Sequence, residues 1–313
     1  MPNQTPIIND NPQLQEYYNS LESRLGYRLL LGGTRHFGFY PHDTLWPFPI
    51  SRALRAMEDK LAASLHLPRG SRVLDAGCGV GHVAIHLATK HGLHVQGIDV
   101  VAHHLTQARR NIAAAAAAAA GPSPGPSDAQ VSVQQMDYHH IETLGAEGSL
   151  DGIYTMETFV HATDPEGALA GFFRALRPGG RVSLFEYDHC IIPGDETPAG
   201  TVAAMDAINR FSAMPMNGRS RVGVFRAMLE DAGFTDVVVR DYSENIMPMV
   251  RLFYYLALLP YLVVVFFGLE RYFINTVAAV AIYRDRRYLR YLNVSATKPG
   301  GEGGGGIEEV KQR

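Results

Sequence analysis

The sequence predicts an α/β fold built on a doubly wound, seven-stranded, mostly parallel sheet, and three observations predict it. Short apolar runs alternate with helical stretches from residue 72 to about 190, the pattern of parallel strands joined by crossover helices. The first run, Val73-Leu-Asp-Ala-Gly-Cys-Gly-Val-Gly81, enters a glycine-rich turn. Two later runs each close on an acid, Asp99 and Asp137, where the tips of neighbouring strands fall.

Taken in order, residues 1–15 are polar with prolines at 2, 6 and 12 and are expected to be disordered. Residues 16–70 carry Leu21, Leu25, Leu29 and later Leu54, Met57, Leu61 at helical spacing, so they read as a helical N-terminal lid. The α/β domain is expected over 71–299. In its glycine turn, Gly77, Gly79 and Gly81 can take backbone angles closed to side-chained residues, which brings main chain close to a ligand. The helix expected from His82 to His91 aims its free N–H groups at the same spot. A dinucleotide fingerprint needs Gly-x-Gly-x-x-Gly, yet here the third glycine is Gly81 and His82 follows it; that weakens a pyrophosphate reading. Asp75, two residues before the first glycine, suits a cationic or amine-bearing ligand better than a phosphate. Asp99, followed by Val100, is placed to accept both hydroxyls of a ribose, and Asp137 to take an adenine amino group.

Between the second and third strands, Ala113–Ala120 is an unbroken alanine run followed by Gly-Pro-Ser-Pro-Gly-Pro-Ser, so residues 113–128 read as a helix extension and a surface insertion. Further on, Phe225 to Gly233 reads as a helix ending at glycine, Asp236 to Asp241 as a strand, and Tyr291 to Ala296 as a final strand returning to the sheet. A C-terminal hydrophobic cap is expected over 242–290. Within it, Leu252 to Leu269 holds 18 residues without a charge, with Pro260 in the middle. That segment admits three readings: a buried helix pair over a greasy pocket, a helix lying in a membrane surface, or a span. The glycine-rich stretch 300–313 cannot pack and is expected to be disordered.

Composition excludes some functions. With 313 residues, 46% hydrophobic, the chain can bury a large core. A formal net charge of −3 and no long basic run give no electrostatic track for nucleic acid. Cys78 and Cys190 offer neither a disulfide framework nor metal-ligand spacing, and no His/Cys/Asp group is spaced for a metal. Met1 to Pro12 lacks an apolar signal core. A cytoplasmic enzyme, with possible membrane association, is the expectation; oligomeric state is left open.

The segment Val73 to Gly81, together with Asp99 and Asp137, resembles the class I S-adenosylmethionine-dependent methyltransferases, and Leu176-Arg-Pro-Gly-Gly-Arg-Val182 is similar to their helix-to-strand turn. The resemblance covers about residues 50 to 190. It implies a Rossmann-like sheet and S-adenosyl-L-methionine as cofactor, with Asp75, Gly77, Cys78, Gly79 and Gly81 around the methionine part, Asp99 and Val100 at the ribose, and Asp137 and Tyr138 at the adenine. A narrower likeness, carried by Tyr154-Thr-Met-Glu157-Thr-Phe-Val-His161, by Glu186-Tyr187 and by the aromatic stretch Gly32 to Tyr40, is to the sterol C24-methyltransferase type.

Methyl transfer from a sulfonium is an in-line displacement, so alignment and burial carry most of the catalysis. A hydroxyl or ring-carbon acceptor also needs a base, for which His161 is the first candidate, the alternative being that it only packs its turn. Glu157 could support His161, steady a carbocation or hold the methionine amine; Glu186 and Tyr187 form a second polar pair. His36, Tyr40, Phe159, Tyr254 and Tyr255 are the expected contacts of a lipophilic substrate of sterol, terpenoid or polyketide type. The expected function is methylation of such a molecule in lipid or secondary metabolism, at carbon, oxygen or nitrogen. The alternative is a protein of this fold that binds the cofactor but cyclises or isomerises its substrate without methyl transfer.

Overall fold

The computed structural model describes residues 11–20, 22–23, 30–119, 131–192, 194 and 197–300. Leu21, Leu25, Leu29, the Pro/Gly part of the 113–128 insertion, residues 1–10 and the tail from 301 lie outside the described residues.

Seven strands form one sheet: β1 (Arg72–Ala76), β2 (His94–Asp99), β3 (Val131–Gln135), β4 (Leu150–Met156), β5 (Leu176–His189), β6 (Thr235–Asp241) and β7 (Leu289–Thr297), in the order β3-β2-β1-β4-β5-β7-β6. Neighbours from β3 to β5 are parallel, while β7 runs antiparallel to both β5 and β6. The described helices are α1 (Pro12–Asn19), α2 (Ile50–Leu65), α3 (His82–His91), α4 (Ala102–Ala119), α5 (Pro165–Ala175), α6 (Ala199–Phe211), α7 (Val224–Asp231), α8 (Ser243–Phe266) and α9 (Ile274–Arg284).

Local chemistry sets the boundaries. Helix α3 follows Gly81 at φ 80° and ends at Gly92 at φ 68°, whose N–H reaches back to the Ala88 carbonyl while the Leu93 N–H reaches that of Leu87. Helix α5 begins with Asp164 accepting the Gly167 N–H and proline in its first turn. Successive strand residues face opposite sides. Leu74, Ile153 and Leu184 therefore enter one core with Phe159 and Phe172, while Val73, Tyr154 and Phe185 enter the other with Met57, Leu61 and Leu87. Each such fully buried aliphatic or phenylalanine side chain contributes about 1.5–3 kcal/mol of transfer free energy.

The register aligns Asp75 with Gly97 on β2 and with Tyr154 on β4. The ends of β1, β2 and β4 thus meet at one edge, above which ligands of open α/β sheets bind. A Cβ on Gly97 would sit 2.7 Å from Cβ of Cys78, so glycine there lets β2 run directly under the glycine turn.

The N-terminal region departs from the expected helical lid. Helix α2 buries Met57, Leu61 and Leu65 against β1 and β5, which makes it part of the sheet's helical layer. Residues 34–49 have no regular structure apart from turns. The cap between β6 and β7 is formed by α8 and α9, with Pro248 and Pro260 inside α8.

Candidate active site

The first cavity lies over the sheet edge. At its floor, Gly77 adopts φ 111°, and a Cβ there would fall 2.6 Å from the Thr158 side chain. Thr158 is fixed in turn by donating through Oγ1 to the Ala76 carbonyl at 2.7 Å. Gly79 and Gly81 are also left-handed, at φ 50° and 80°. Gly81 does not line the cavity; its missing Cβ instead lets α3 approach Ala108 of α4. The expected contacts Gly77, Cys78, Gly79 and Val100 do line it, with Asp75, Asp99, Asp137 and Tyr138.

The three strand-end acids differ in electrostatic state. Asp75 is buried, its Oδ2 has no hydrogen-bond partner, and burial pushes its carboxyl up to about 7. Asp99 is also subject to burial, which raises it, but the His104 imidazole and the N–H groups of Val101 (2.7 Å) and Gly79 (2.8 Å) outweigh that and hold it below the usual carboxylate range. Asp137 Oδ1 accepts the His139 N–H at 2.9 Å and the His139 ring at 2.6 Å. His139 Nε2 faces the Thr163 N–H at 3.2 Å, which assigns the ring proton to Nδ1.

A second, larger cavity of about 760 Å³ adjoins the first. Ile246, Met247, Val250 and Phe253 of α8, Ala279 and Ile282 of α9, and Met205 of α6 give it mainly apolar walls. Five residues line both cavities: Tyr18, Arg35, His36, Glu157 and His161. They form the wall between the two cavities.

On this wall, His161 Nδ1 lies 2.8 Å from the Ala213 carbonyl and Nε2 lies 2.9 Å from the Tyr18 hydroxyl. The carbonyl can only accept, so Nδ1 carries the proton and Nε2 accepts from Tyr18. Burial pushes the imidazole down to about 4. The expected base is therefore a neutral ring with both nitrogens engaged. Arg35 lies over the Tyr18 ring, 4.5 Å from its centroid. Glu157 follows β4 at φ 57°, a left-handed angle that costs a non-glycine residue about 1–3 kcal/mol. The strained turn aims its carboxylate at the wall, where Oε1 accepts the Phe37 N–H at 2.7 Å and Oε2 accepts the Tyr187 hydroxyl. Burial pushes Glu157 up to about 8.

Several expected site residues have other duties. Glu186 lines neither cavity: Oε1 accepts Thr155 Oγ1 (3.0 Å), Thr158 N–H (3.2 Å) and Phe159 N–H (2.8 Å), and Oε2 accepts Val160 N–H at 3.3 Å. It pins the turn that carries Glu157 and His161, and touches no ligand space. Phe159 is fully buried against Phe172 and Phe225. Tyr40 is a core residue whose hydroxyl donates to the Pro47 carbonyl at 2.8 Å. Tyr254 and Tyr255 meet edge to face outside the chamber, and their neighbours Phe253, Leu256 and Ala257 line it instead. His36 does reach the wall, held by Glu58 at 3.2 Å.

Sequence reasoning missed Tyr18, Arg35, Thr158 and Glu58; Tyr18 meets His161 across 143 positions and Thr158 meets Ala76 across 82. It also found no metal-like group, yet folding gathers Asp59, His86 and His91. Both imidazoles lie 2.9 Å from Asp59 Oδ1, and Lys90 holds Oδ2 at 2.6 Å, so these residues tie α2 to α3 as an ion-pair knot.

The methyltransferase-domain family model matches residues 73–180. The chain is 44% identical over 287 residues to the S-adenosyl-L-methionine-dependent Diels-Alderase iccD of Talaromyces variabilis, covering 91% of this chain and 94% of that protein. This chain belongs to the S-adenosylmethionine-dependent family with the class I methyltransferase fold. It is likewise 44% identical over 233 residues to the Diels-Alderase iliD of Neonectria sp. (strain DH2), covering 74% of this chain and 86% of the other. Among solved structures, the (4+2)-cyclase SpnF is similar in fold, with a TM-score of 0.63 and 20% identity over 86% of this chain and 88% of that one.

The first cavity of this family member fits its cofactor. The orphaned Asp75 oxygen would accept from an ammonium group, the glycine cradle admits main chain where a Cβ would clash, and Asp99, held ionised, would accept ribose hydroxyls.

Proposed function

We propose that this protein is an S-adenosylmethionine-dependent cyclase that closes a lipophilic linear polyene by an intramolecular Diels–Alder addition without transferring a methyl group. The observation that carries this reading is the state of the shared wall: both ring nitrogens of His161 are occupied, and both Glu157 oxygens already accept donors. Methylation at oxygen or at a ring carbon requires a base to remove a proton, whereas the accepting nitrogen of His161 is taken by Tyr18 and burial, raising Glu157 to about 8, keeps that carboxyl mostly protonated at neutral pH. Cycloaddition needs none. Two σ bonds form between the diene termini and the two alkene carbons, three π bonds become one, and no atom or proton leaves. The names of the two relatives at 44% identity support the same class; they give no support to the narrower sterol-methyltransferase likeness.

In this reading the chain's residues fold the substrate and polarise it. The apolar faces of α8 and α9 hold the polyene bent, so the reacting ends meet in a near-attack geometry. Arg35, between the two cavities, offers a cationic hydrogen-bond donor to a carbonyl on the alkene partner. S-adenosylmethionine, when bound, supplies a fixed sulfonium charge at the wall.

The test is incubation of the protein with S-adenosylmethionine and a linear triene-enone. A product of unchanged mass, dependent on S-adenosylmethionine but formed without S-adenosylhomocysteine, is expected. A product heavier by one methyl, with equimolar S-adenosylhomocysteine, overturns the proposal in favour of methyl transfer.

A further inference from the structure

Helix α8 presents an apolar face to solvent. Tyr255, Leu256, Leu259, Leu262, Val263 and Phe266 recur at spacings of three and four residues, so they form one stripe along the helix. All are exposed, Leu259 by 73% and Phe266 by 82%. A helix facing water would carry charged residues at these positions, yet none occurs between Leu252 and Leu269. The stripe is continued past the helix by Phe267, Tyr272 and Phe273, also exposed. From Tyr255 to Phe266 it runs about 16 Å at the rise of an α-helix.

Charge at the margins says what covers it. Residues 251–290 hold six arginines, at 251, 271, 284, 286, 287 and 290; Arg284 pairs with Asp285 and Arg290 with Asp188, which leaves Arg251, Arg271, Arg286 and Arg287 against Glu270, whereas the whole chain carries −3. Arg271 and Arg286 are exposed and lie over the Tyr272 and Tyr283 rings, 4.3 and 4.7 Å from their centroids. We infer that the α8 stripe docks on an anionic lipid bilayer, with the helix lying in the plane of the interface. A span is excluded by the helix's own first half: Ile246, Met249 and Val250 are buried against the domain, and the chain after α9 returns to the sheet as β7. A two-fold contact with a second copy would set these arginines against each other, while anionic headgroups neutralise them. Leu256 belongs both to the stripe and to the chamber wall. Docking therefore sets the chamber beside the lipid in which a polyene dissolves. This inference does not depend on which reaction the chamber performs.

Flotation of the full chain with vesicles of phosphatidylcholine, alone or mixed with phosphatidylserine, tests it. The protein is expected to bind the mixed vesicles, more weakly at high salt. The doubly substituted L259E/F266E, altered only at exposed positions outside both cavities, should bind at least about tenfold less, with its melting temperature and S-adenosylmethionine affinity unchanged. Failure of the wild type to bind either vesicle, or undiminished binding by L259E/F266E, overturns the proposal. So does a dimer that L259E/F266E dissociates and vesicles do not compete with, since the face would then belong to a second copy.

Discussion

The cofactor cleft is made chiefly of main chain and strand-end acids between Asp75 and Thr158, whereas the chamber beside it is made of side chains from α1, α6, α8 and α9. In the cleft, recognition rests on left-handed angles that favour glycine and on carboxylates whose charge the fold adjusts individually. In the chamber, apolar residues set only a volume and a shape. A site of the first kind tolerates little change and keeps one ligand, while one of the second kind can be reshaped residue by residue without touching the cofactor.

The sharpest way to break this contrast is Gly77→Ala. The new methyl group meets Thr158 at 2.6 Å and forces an alanine to φ 111°, so S-adenosylmethionine affinity should fall at least about a hundredfold in calorimetric titration, the equivalent of about 3 kcal/mol. Wild-type affinity in this variant would refute the cradle. Asp99→Asn keeps the shape but removes the charge, and a loss of about tenfold to thirtyfold is expected in the same measurement.

A pH titration sharpens it further. The Asp75 carboxyl is raised to about 7, so below that value it is protonated and neutral. If it holds the ammonium of the ligand, affinity should rise about tenfold between pH 6 and pH 8, with proton release on binding below pH 7. Asp75→Asn should flatten that profile; an unchanged slope would assign the ionisation to another group. Folding stability runs the other way. Asp75, Glu157 and Glu186, raised to about 7, 8 and 7, bind more protons folded than unfolded, so the stability present at low pH is lost as pH rises from about 4.5 through 8.

The smallest effects belong to the chamber. Ala279→Phe, which narrows it, should raise KM about fivefold and leave S-adenosylmethionine affinity within twofold. Tyr255→Ser, on the outer face of α8, should move neither value by more than about twofold. An equal effect of both substitutions on KM would mean that the chamber's boundary is wrongly drawn.

The same contrast explains what could be read from the sequence. The glycine turn, Asp99 and Asp137 each sit at the end of a short strand-like run, so their placement follows from strand-and-turn chemistry within about ten residues, and helix α3 begins and ends at the expected His82 and His91. The return of β7 to the sheet was legible for the same reason. The wall was not. Tyr18 meets His161 across 143 positions and Phe37 meets Glu157 across 120, and no local pattern encodes such a meeting. Glu186 misled because a buried acid at a strand tip looks the same in sequence whether it faces a ligand or staples a turn. Tyr254 and Tyr255 misled because α8 is apolar all round, and periodicity cannot then tell its inner face from its outer one.

Tyr18, Arg35, His36, Glu157 and His161 face both cavities at once, so under the proposed function the two ligands would take part in one equilibrium. Whatever factor S-adenosylmethionine applies to the substrate's dissociation constant by reorienting those five side chains, the substrate must apply the same factor to that of S-adenosylmethionine.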